Sequence, residues 1–253
     1  MKQESIFDLS GKKALVTGST EGIGLAIAKT LAIHGSEVVV HGRSSKEKCQ
    51  EVCAALDKLS GTKSSYVLFD IEEPKGVESL INEINDIDIL VINASIQIRS
   101  ETLEISRKDF DSQVNANLWT TLRLIQVFLP YMLRQKWGRI LMVGSVQEVK
   151  PSPKMAIYAA LKSATANMVA NLALQYGKDG VTVNNLAPGV ITTGRNEEVL
   201  TNEKYAESIR QQIPVGFFGQ PDDCAGIALL LCAEAGRYIT GQTIYCDGGM
   251  SVQ

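Results

Sequence analysis

The sequence lacks the residue sets that define several classes of protein. It has only two histidines, His34 and His41, which are too few and too isolated for a metal site or a hydrolytic triad. No C-x-x-C pair is present, and an odd number of cysteines favours a reducing compartment. We therefore expect a cytoplasmic protein without bound metal. The five cysteines are Cys49, Cys53, Cys224, Cys232 and Cys246.

Long apolar runs, linkers and an excess of one charge are also missing. No apolar stretch approaches the ~20 residues of a membrane span, and Met1–Gly11 lacks the apolar centre of a signal peptide. The net charge of −3 gives no basis for binding nucleic acid or an anionic membrane. Because no Pro/Gly/Ser-rich linker divides the chain, we predict one domain over residues 1–253.

A glycine-rich turn between a strand and a helix is the first positive feature. Lys12–Thr17 is an apolar strand, and Glu21–Gly35 has helical spacing of its apolar residues. The turn reads T-G-S-T-E-G-I-G, and such glycines allow a pyrophosphate to approach the N–H groups at a helix N-terminus. The sequence therefore predicts a dinucleotide site. Its contacts are predicted at Gly18, Thr20, Gly22, Ile23 and Gly24.

The end of the second strand, Ser36–His41, predicts which cofactor is bound. It continues as Gly42-Arg43-Ser44, with no acid before Glu47. In dinucleotide folds an acid here favours the ribose 2′-hydroxyl of NAD, whereas an arginine accommodates the 2′-phosphate of NADP. Arg43 and Ser44 therefore predict NADP(H) over NAD(H). The alternative is a solvated arginine without a ligand.

Apolar strands and helical segments continue to alternate, which is typical of a parallel sheet covered on both faces. We predict an α/β, doubly wound Rossmann fold with seven parallel strands, and a substrate lid at residues 190–215. Further strands are predicted at Ser64–Phe69, Asp88–Ile92, Gly138–Gly144, Val181–Leu186 and Thr243–Cys246. Further helices are predicted at Lys46–Leu59, Pro74–Asn85, Ser106–Gln135, Met155–Tyr176 and Asp222–Ala233.

Polar side chains follow the carboxyl ends of several strands, where ligands bind in open parallel sheets. Asp70 suits the adenine amino group, and the segment after the sixth strand offers backbone groups and threonines to the carboxamide and phosphates. Ser145 lies at the end of the fifth strand. The remaining cofactor contacts are predicted at Asp70, Ile71, Asn93, Ala94, Ser95, Pro188, Gly189, Ile191 and Thr193.

A tyrosine and a lysine lie one helical turn apart, at Tyr158 and Lys162. Residues with this spacing share a helix face, so the ammonium can lie beside the phenol. A unit charge at about 4 Å is worth on the order of 1–4 kcal/mol, which favours the phenolate. The pair is therefore a candidate general acid/base that also contacts the cofactor.

These motifs, taken together, resemble the short-chain dehydrogenase/reductase family over essentially the whole chain. The pattern is most similar to 3-oxoacyl-carrier-protein reductases and to sugar-acid and polyol dehydrogenases. Two positions depart from the family: Ser95 replaces a glycine in I-N-A-S, and Gly144 stands where a small hydroxyl residue is common. The resemblance is carried by Thr17–Gly24, Asp70, Asn93–Ala94, Asn117, Ser145, Tyr158–Lys162, Asn184–Gly189 and Asp247–Gly249.

The resemblance implies a role for each of four catalytic residues. Tyr158 would exchange a proton with the substrate oxygen, and Ser145 would hydrogen-bond that oxygen. Lys162 would favour the phenolate and hold the nicotinamide ribose, and Asn117 would support a water relay to Lys162. The resemblance also implies a homotetramer that uses the two long helices and the C-terminal segment.

The substrate is predicted from two glutamines expected near Ser145. Gln97 and Gln147 can both donate and accept hydrogen bonds, which suits a sugar, sugar acid or polyol. A 3-oxoacyl-carrier-protein reductase is the alternative, for which a basic docking surface is expected. A non-catalytic NADP-binding sensor or scaffold is an alternative of another class, and the presence of all four reacting residues argues against it.

Overall fold

A computed structural model describes residues 5–73, 75–84, 86–196 and 201–253. Its strands form one parallel sheet in the order β3-β2-β1-β4-β5-β6-β7. The predicted doubly wound fold with seven parallel strands is therefore confirmed. The strands are β1 (Lys13–Val16), β2 (Glu37–Gly42), β3 (Ser65–Leu68), β4 (Ile89–Ile92), β5 (Gly138–Val143), β6 (Val181–Pro188) and β7 (Thr243–Cys246).

Helices cover both faces of this sheet, and alternate strand residues contact opposite layers. Ala14 and Val16 of β1 pack with α1, α2 and α8, whereas Leu15 packs in the layer that contains α5 and α6. Alternation with a period of two residues is expected for a strand. The helices are α1 (Gly22–Ile33), α2 (Lys46–Ser60), α3 (Leu80–Glu83), α4 (Arg107–Val114), α5 (Thr120–Gln135), α6 (Ala156–Tyr176), α7 (Glu203–Arg210) and α8 (Pro221–Cys232).

The predicted helix Pro74–Asn85 is shorter in the structure. A 3₁₀ turn at Gly76–Ser79 precedes the single turn of α3, and Pro74 and Asn85 lie outside the described residues. Two hydrogen-bonded turns come first, in which Glu73 N donates to Asp70 O and Gly76 N donates to Glu73 O. These turns use residues that apolar spacing alone assigns to a helix.

The predicted helix Ser106–Gln135 contains a π-helical turn. Residues Asn115–Trp119 form this turn between α4 and α5, at the position that contains Asn117. A π turn inserts one residue into the helix and changes the direction of its side chains. Apolar periodicity does not reveal such an insertion.

The segment predicted as a lid contains two described elements. A 3₁₀ turn spans Gly194–Asn196 and is followed by α7, while residues 197–200 lie outside the described part of the chain. The segment borders the carboxyl edge of the sheet. Among the described helices, none has the length and hydrophobicity that a bilayer crossing requires.

Candidate active site

A cleft of about 1160 Å³ opens along the carboxyl edge of the sheet. The loops after β1 to β6 form its walls, so residues far apart in sequence meet there. Most of the predicted site residues line it. They are Gly18, Thr20, Gly22, Ile23, Arg43, Asp70, Ile71, Asn93, Ala94, Ser95, Gln97, Ser145, Gln147, Tyr158, Pro188, Gly189, Ile191 and Thr193.

Four predicted residues lie outside the cleft lining. Gly24 is buried in α1, where an added Cβ would lie 2.3 Å from Gly18 O. Ser44 is exposed in the loop before α2. Asn117 and Lys162 line a separate small cavity behind the cleft. Because a Cβ at position 24 would overlap Gly18 O, Gly24 contributes by allowing close packing of the glycine turn.

The glycine turn has the backbone shape that the sequence predicts. Gly18 and Gly22 have φ values of 63° and 56°, a conformation that side chains disfavour. Asn93 Nδ2 donates to Thr17 O at 2.9 Å and to Gly18 O at 3.2 Å, which fixes the turn against the end of β4. Glu21 precedes α1 without a side-chain cap, so the first-turn amides remain available to an anion.

His41 fixes the same turn, although sequence reasoning weighed this residue only as part of a metal site or a hydrolytic triad. Gly18 N donates to His41 Nδ1 at 2.8 Å, and Nε2 lies 3.0 Å from Phe69 O. Burial lowers the pKa of His41 to about 4. The ring is therefore neutral near pH 7, with its proton on Nε2 and Nδ1 as the acceptor. The sequence signal for this role was a histidine at the end of a mostly apolar strand.

Arg43 is paired with two carboxylates at the end of the cleft next to β2 and β3. Its Nε donates to Asp70 Oδ2 at 2.8 Å, and its Nη2 lies 2.9 Å from Glu72 Oε1. Glu72 also accepts a hydrogen bond of 2.5 Å from Ser112 Oγ on α4. Asp70, predicted to face the adenine amino group, thus also neutralises Arg43. Sequence reasoning did not identify Glu72.

Lys162 lies behind Tyr158 and is tied to the strand that ends at Ser145. Its Nζ donates to Val143 O at 2.6 Å and lies 5.6 Å from the centre of the Tyr158 ring. Burial lowers the pKa of Lys162, and the Tyr158 phenol opposes that shift. Tyr158 and Ser145 both face the cleft. The helix and the end of the strand therefore each present a hydroxyl group to the cleft, with the Lys162 amine beside the Tyr158 ring.

Asn117 uses its side chain to hold the loop after β4. Its Oδ1 accepts from Ile96 N at 3.0 Å, and its Nδ2 donates to Ile96 O at 2.8 Å. A cavity of about 10 Å³ lies between Asn117, Lys162 and Thr165. This volume is close to that of one water molecule, and the surroundings are polar enough to bind it.

The part of the cleft near Ser145 is polar. Gln147 Oε1 accepts from Ser152 N at 2.7 Å, so Gln147 helps to fix the loop before α6. Gln97 also lines the cleft. Both glutamines are partly buried.

Four cations that sequence reasoning did not assign to the site also line this part. Lys154 pairs with Glu101 at 3.0 Å, and Lys150 Nζ donates to Met250 O at 3.0 Å. Arg195, in the predicted lid, donates to Ser95 Oγ at 2.8 Å and to Ser95 O at 2.7 Å.

Arg99 is the fourth cation and differs from the others. Within the described residues it has no hydrogen bond or ion pair, and its side chain is exposed at the rim of the cleft. No pattern in the sequence marks Arg99 or Arg195, because the fold alone brings their loops to this edge.

Comparisons with known proteins identify the family of this chain. A family model described as Enoyl-(Acyl carrier protein) reductase matches residues 18–251. Gluconate 5-dehydrogenase of Gluconobacter oxydans (strain 621H) is 34% identical over 256 residues, covering 100% of this chain and 99% of the relative.

Two solved structures have the same architecture. A 3-oxoacyl (acyl-carrier-protein) reductase from Agrobacterium tumefaciens C58 with NADP bound has a TM-score of 0.91 and 35% identity, covering 98% of this chain and 97% of its own. A gluconate 5-dehydrogenase from Burkholderia cenocepacia J2315, in complex with NADP and tartrate, has a TM-score of 0.92 and 31% identity, covering 98% of each chain. The chain therefore belongs to the short-chain dehydrogenase/reductase family and is an oxidoreductase that acts on CH–OH groups.

Proposed function

We propose that the protein interconverts a carbonyl and a secondary alcohol with NADP(H), using Tyr158 as the general acid/base. The residues present fit a dinucleotide, since two glycines with positive φ and an uncapped helix N-terminus border the cleft. When bound, the nicotinamide supplies or accepts the hydride.

The chain's own residues handle the proton. Tyr158 lies in the cleft, where its hydroxyl gives a proton to the substrate oxygen in reduction and removes it in oxidation. The Lys162 ammonium lies behind the Tyr158 ring, and Ser145 donates a hydrogen bond to the same substrate oxygen. A water in the small cavity between Asn117 and Lys162 would return protons to the amine.

Arg43 supports NADP(H) over NAD(H). Its guanidinium lies at the end of β2, at the position where a ribose 2′-phosphate is recognised in this fold. Both solved relatives contain NADP. The dissociation constants of NADP⁺ and NAD⁺ test this proposal, and tighter binding of NAD⁺ would reject it.

Arg99 is the observation that favours a sugar acid as substrate. It is a cation without a partner among the described residues, in a cleft that Gln97, Gln147 and Lys150 also line. A substrate carboxylate would pair with Arg99 while its hydroxyls bond the glutamines. One solved relative is a gluconate 5-dehydrogenase in complex with NADP and tartrate, and tartrate is a hydroxylated carboxylate.

A 3-oxoacyl-carrier-protein reductase is the second candidate. It is favoured by the 35% identical reductase and by the basic rim that Arg99 and Lys154 offer to an acidic carrier. Steady-state rates on aldonates, ketoses, polyols and acetoacetyl thioesters with both cofactors separate the two. Faster turnover of the thioester would favour the carrier-protein substrate.

Replacing Tyr158 tests the chemical mechanism. Tyr158→Phe keeps the ring but removes the proton, so we expect kcat to fall roughly 10²–10⁴-fold while the NADP⁺ dissociation constant stays the same. An unchanged rate would contradict the mechanism. Unchanged biological activity without turnover would support a non-catalytic NADP-binding sensor or scaffold instead.

We also propose the assembly and organisation that the family resemblance implies. The chain acts as one domain over residues 1–253, in the cytoplasm, as a homotetramer. Exposed apolar side chains on the two long helical segments, Phe110 and Leu174, and Val252 at the C-terminus support this assembly. Residues 190–215 act as a substrate lid, to which the Arg195–Ser95 contact gives an anchor across the cleft.

A further inference from the structure

Gly144, immediately before Ser145, leaves a space that a carboxylate fills. A Cβ added at Gly144 would lie 2.0 Å from Glu148 Oε1 and 2.5 Å from Asn185 Oδ1. No side chain at position 144 is compatible with Glu148 in this place. The departure from the family pattern at Gly144 is therefore coupled to Glu148.

Glu148 uses this space to bind two strands at once. Its Oε1 accepts from Ser145 N at 3.0 Å, at the end of β5. Asn185 Nδ2, on β6, lies 3.0 Å from each carboxylate oxygen, and Asn185 is fully buried. Burial raises the pKa of Glu148, and the hydrogen bonds from Asn185 and Ser145 oppose that shift.

The Ser145 side chain is held within the same turn. Ser145 Oγ accepts from Gln147 N at 3.2 Å, while Glu148 holds the Ser145 amide, so the two residues form a capping box. Loss of the hydrogen bond between the Ser145 amide and Glu148 would let the turn relax and the Ser145 hydroxyl move. Displacements of about 1 Å in a catalytic group can cost about 10²-fold in rate.

We propose that Glu148 is a positioning residue that sets the orientation of the Ser145 hydroxyl through the Ser145 amide and Asn185. This inference rests on the proposed catalytic role of Ser145. Glu148 lies outside the lining of the cleft, so it acts through Ser145.

Three variants of Glu148 separate bond geometry from charge. Glu148→Ala removes the hydrogen bonds with Ser145 and Asn185, and we expect kcat to fall at least tenfold with the NADP⁺ dissociation constant unchanged. Glu148→Asp keeps the charge but is one methylene shorter, so it should lose a similar factor. Glu148→Gln keeps an acceptor for Ser145 N, and its amide can donate to the unpaired Asn185 Oδ1. The kcat of Glu148→Gln should therefore stay within about threefold of the original value.

Asp223→Ala is the matched control. Asp223 Oδ2 accepts from Gln220 N at 2.7 Å, which is the same kind of bond at the start of α8 and outside the cleft lining. We expect this variant to lose stability in urea unfolding, but to keep its kcat.

The coupling with Gly144 gives an independent measurement. Gly144→Ser alone should lower kcat strongly, because its Cβ would overlap Glu148 Oε1. Combined with Glu148→Ala, the same substitution should be tolerated better. The kcat of the double variant should therefore be higher than the value expected from multiplying the losses of the two single variants.

The outcomes distinguish this inference from the proposed function. If Ser145→Ala keeps full activity, Ser145 is not catalytic and the proposed function fails. If Ser145→Ala is inactive but Glu148→Ala and Glu148→Asp match Glu148→Gln in kcat, only the positioning role fails. If Glu148→Ala does not fold, Glu148→Asp and Gly144→Ser still decide, and equal kcat values for Glu148→Asp and Glu148→Gln overturn the inference.

Discussion

Arg43 shares its positive charge between Asp70 and Glu72, so its availability to a phosphate depends on residues that follow β3. A ribose 2′-phosphate brought to Arg43 would come close to both carboxylates and be repelled by them. The hydrogen bond from Ser112 keeps Glu72 beside the guanidinium. Glu72 should therefore weaken NADP⁺ binding more than NAD⁺ binding.

Glu72→Gln tests this effect on the cofactor. Removing one negative charge at this partly exposed site is worth up to about 1 kcal/mol, so NADP⁺ should bind up to about fivefold more tightly. The NAD⁺ dissociation constant should change little. Fluorescence titration of both cofactors measures this difference.

Glu73→Gln provides the control for Glu72→Gln. Glu73 is the exposed neighbour, and among the described residues its carboxylate has no ion pair. Equal tightening of NADP⁺ in both variants would mean that only the overall charge matters. Equal tightening of NADP⁺ and NAD⁺ in Glu72→Gln would also contradict the role of Arg43.

His41 gives the protein a specific sensitivity to acid. Its pKa is lowered from 6.5 to about 4 by burial, so the folded state binds fewer protons than the unfolded state between these values. The stability that it contributes is complete above pH 6.5 and is lost as the pH falls through 4. The loss amounts to about 3 kcal/mol between pH 7 and pH 4.

His41→Asn isolates this contribution. The amide oxygen of Asn can accept from Gly18 N but does not titrate, so the variant should lose about 3 kcal/mol less than the original protein between pH 7 and pH 4. Urea unfolding at several pH values measures this, with His34 present in both proteins. Parallel pH curves for the two proteins would show that His41 is not the group responsible.

At the scale of the element, α1 and α8 contain glycines in opposite environments. A Cβ at Gly24 in α1 would lie 2.3 Å from Gly18 O and 2.5 Å from Asn93 Nδ2. A Cβ at Gly226 in α8 would meet no atom within 4 Å. The same substitution should therefore have opposite effects in the two helices.

Gly24→Ala and Gly226→Ala form a matched pair. Gly24→Ala should lower the free energy of unfolding by about 1–3 kcal/mol through overpacking, and weaken NADP⁺ binding because the glycine turn is displaced. Gly226→Ala should raise the stability by about 0.5–1 kcal/mol, since alanine favours the helix. Destabilisation by both variants would show that helix geometry, not the contact with Gly18, limits position 24.

The elements that periodicity predicts well are those with long apolar patterns. Strands such as β5 and helices such as α6 were predicted to within two residues, because burial on one or both faces leaves a regular pattern. The π turn and the short α3 were missed, since local turns set them. Arg43 was assigned from its place in the motif, but its partner Glu72 lies 29 positions later and carries no motif.

The proposed tetramer can be tested at the scale of the whole molecule. Phe110 on α4 and Leu174 on α6 are exposed to 39% and 86%, respectively, in the single chain. Glutamate at either position should split the assembly, because a buried unpaired charge is costly. Light scattering after gel filtration should give four times the mass of one chain, and less for the variants.

Leu103→Glu is the control for the tetramer. Leu103 is fully exposed in the loop before α4, outside the two long helical segments. Its replacement should leave the mass unchanged. A single-chain mass for the original protein would reject the proposed assembly.

The loops after β1 to β6 form the walls of the cleft, and the ribosome synthesises these loops at very different times. The glycine turn emerges from the ribosome early, whereas Tyr158 and the residues after β6 follow more than a hundred positions later. Until β5 and β6 join β4, a nascent chain can offer part of the proposed nucleotide surface but not the proposed proton donor. Turnover should therefore appear late in translation and as a single step.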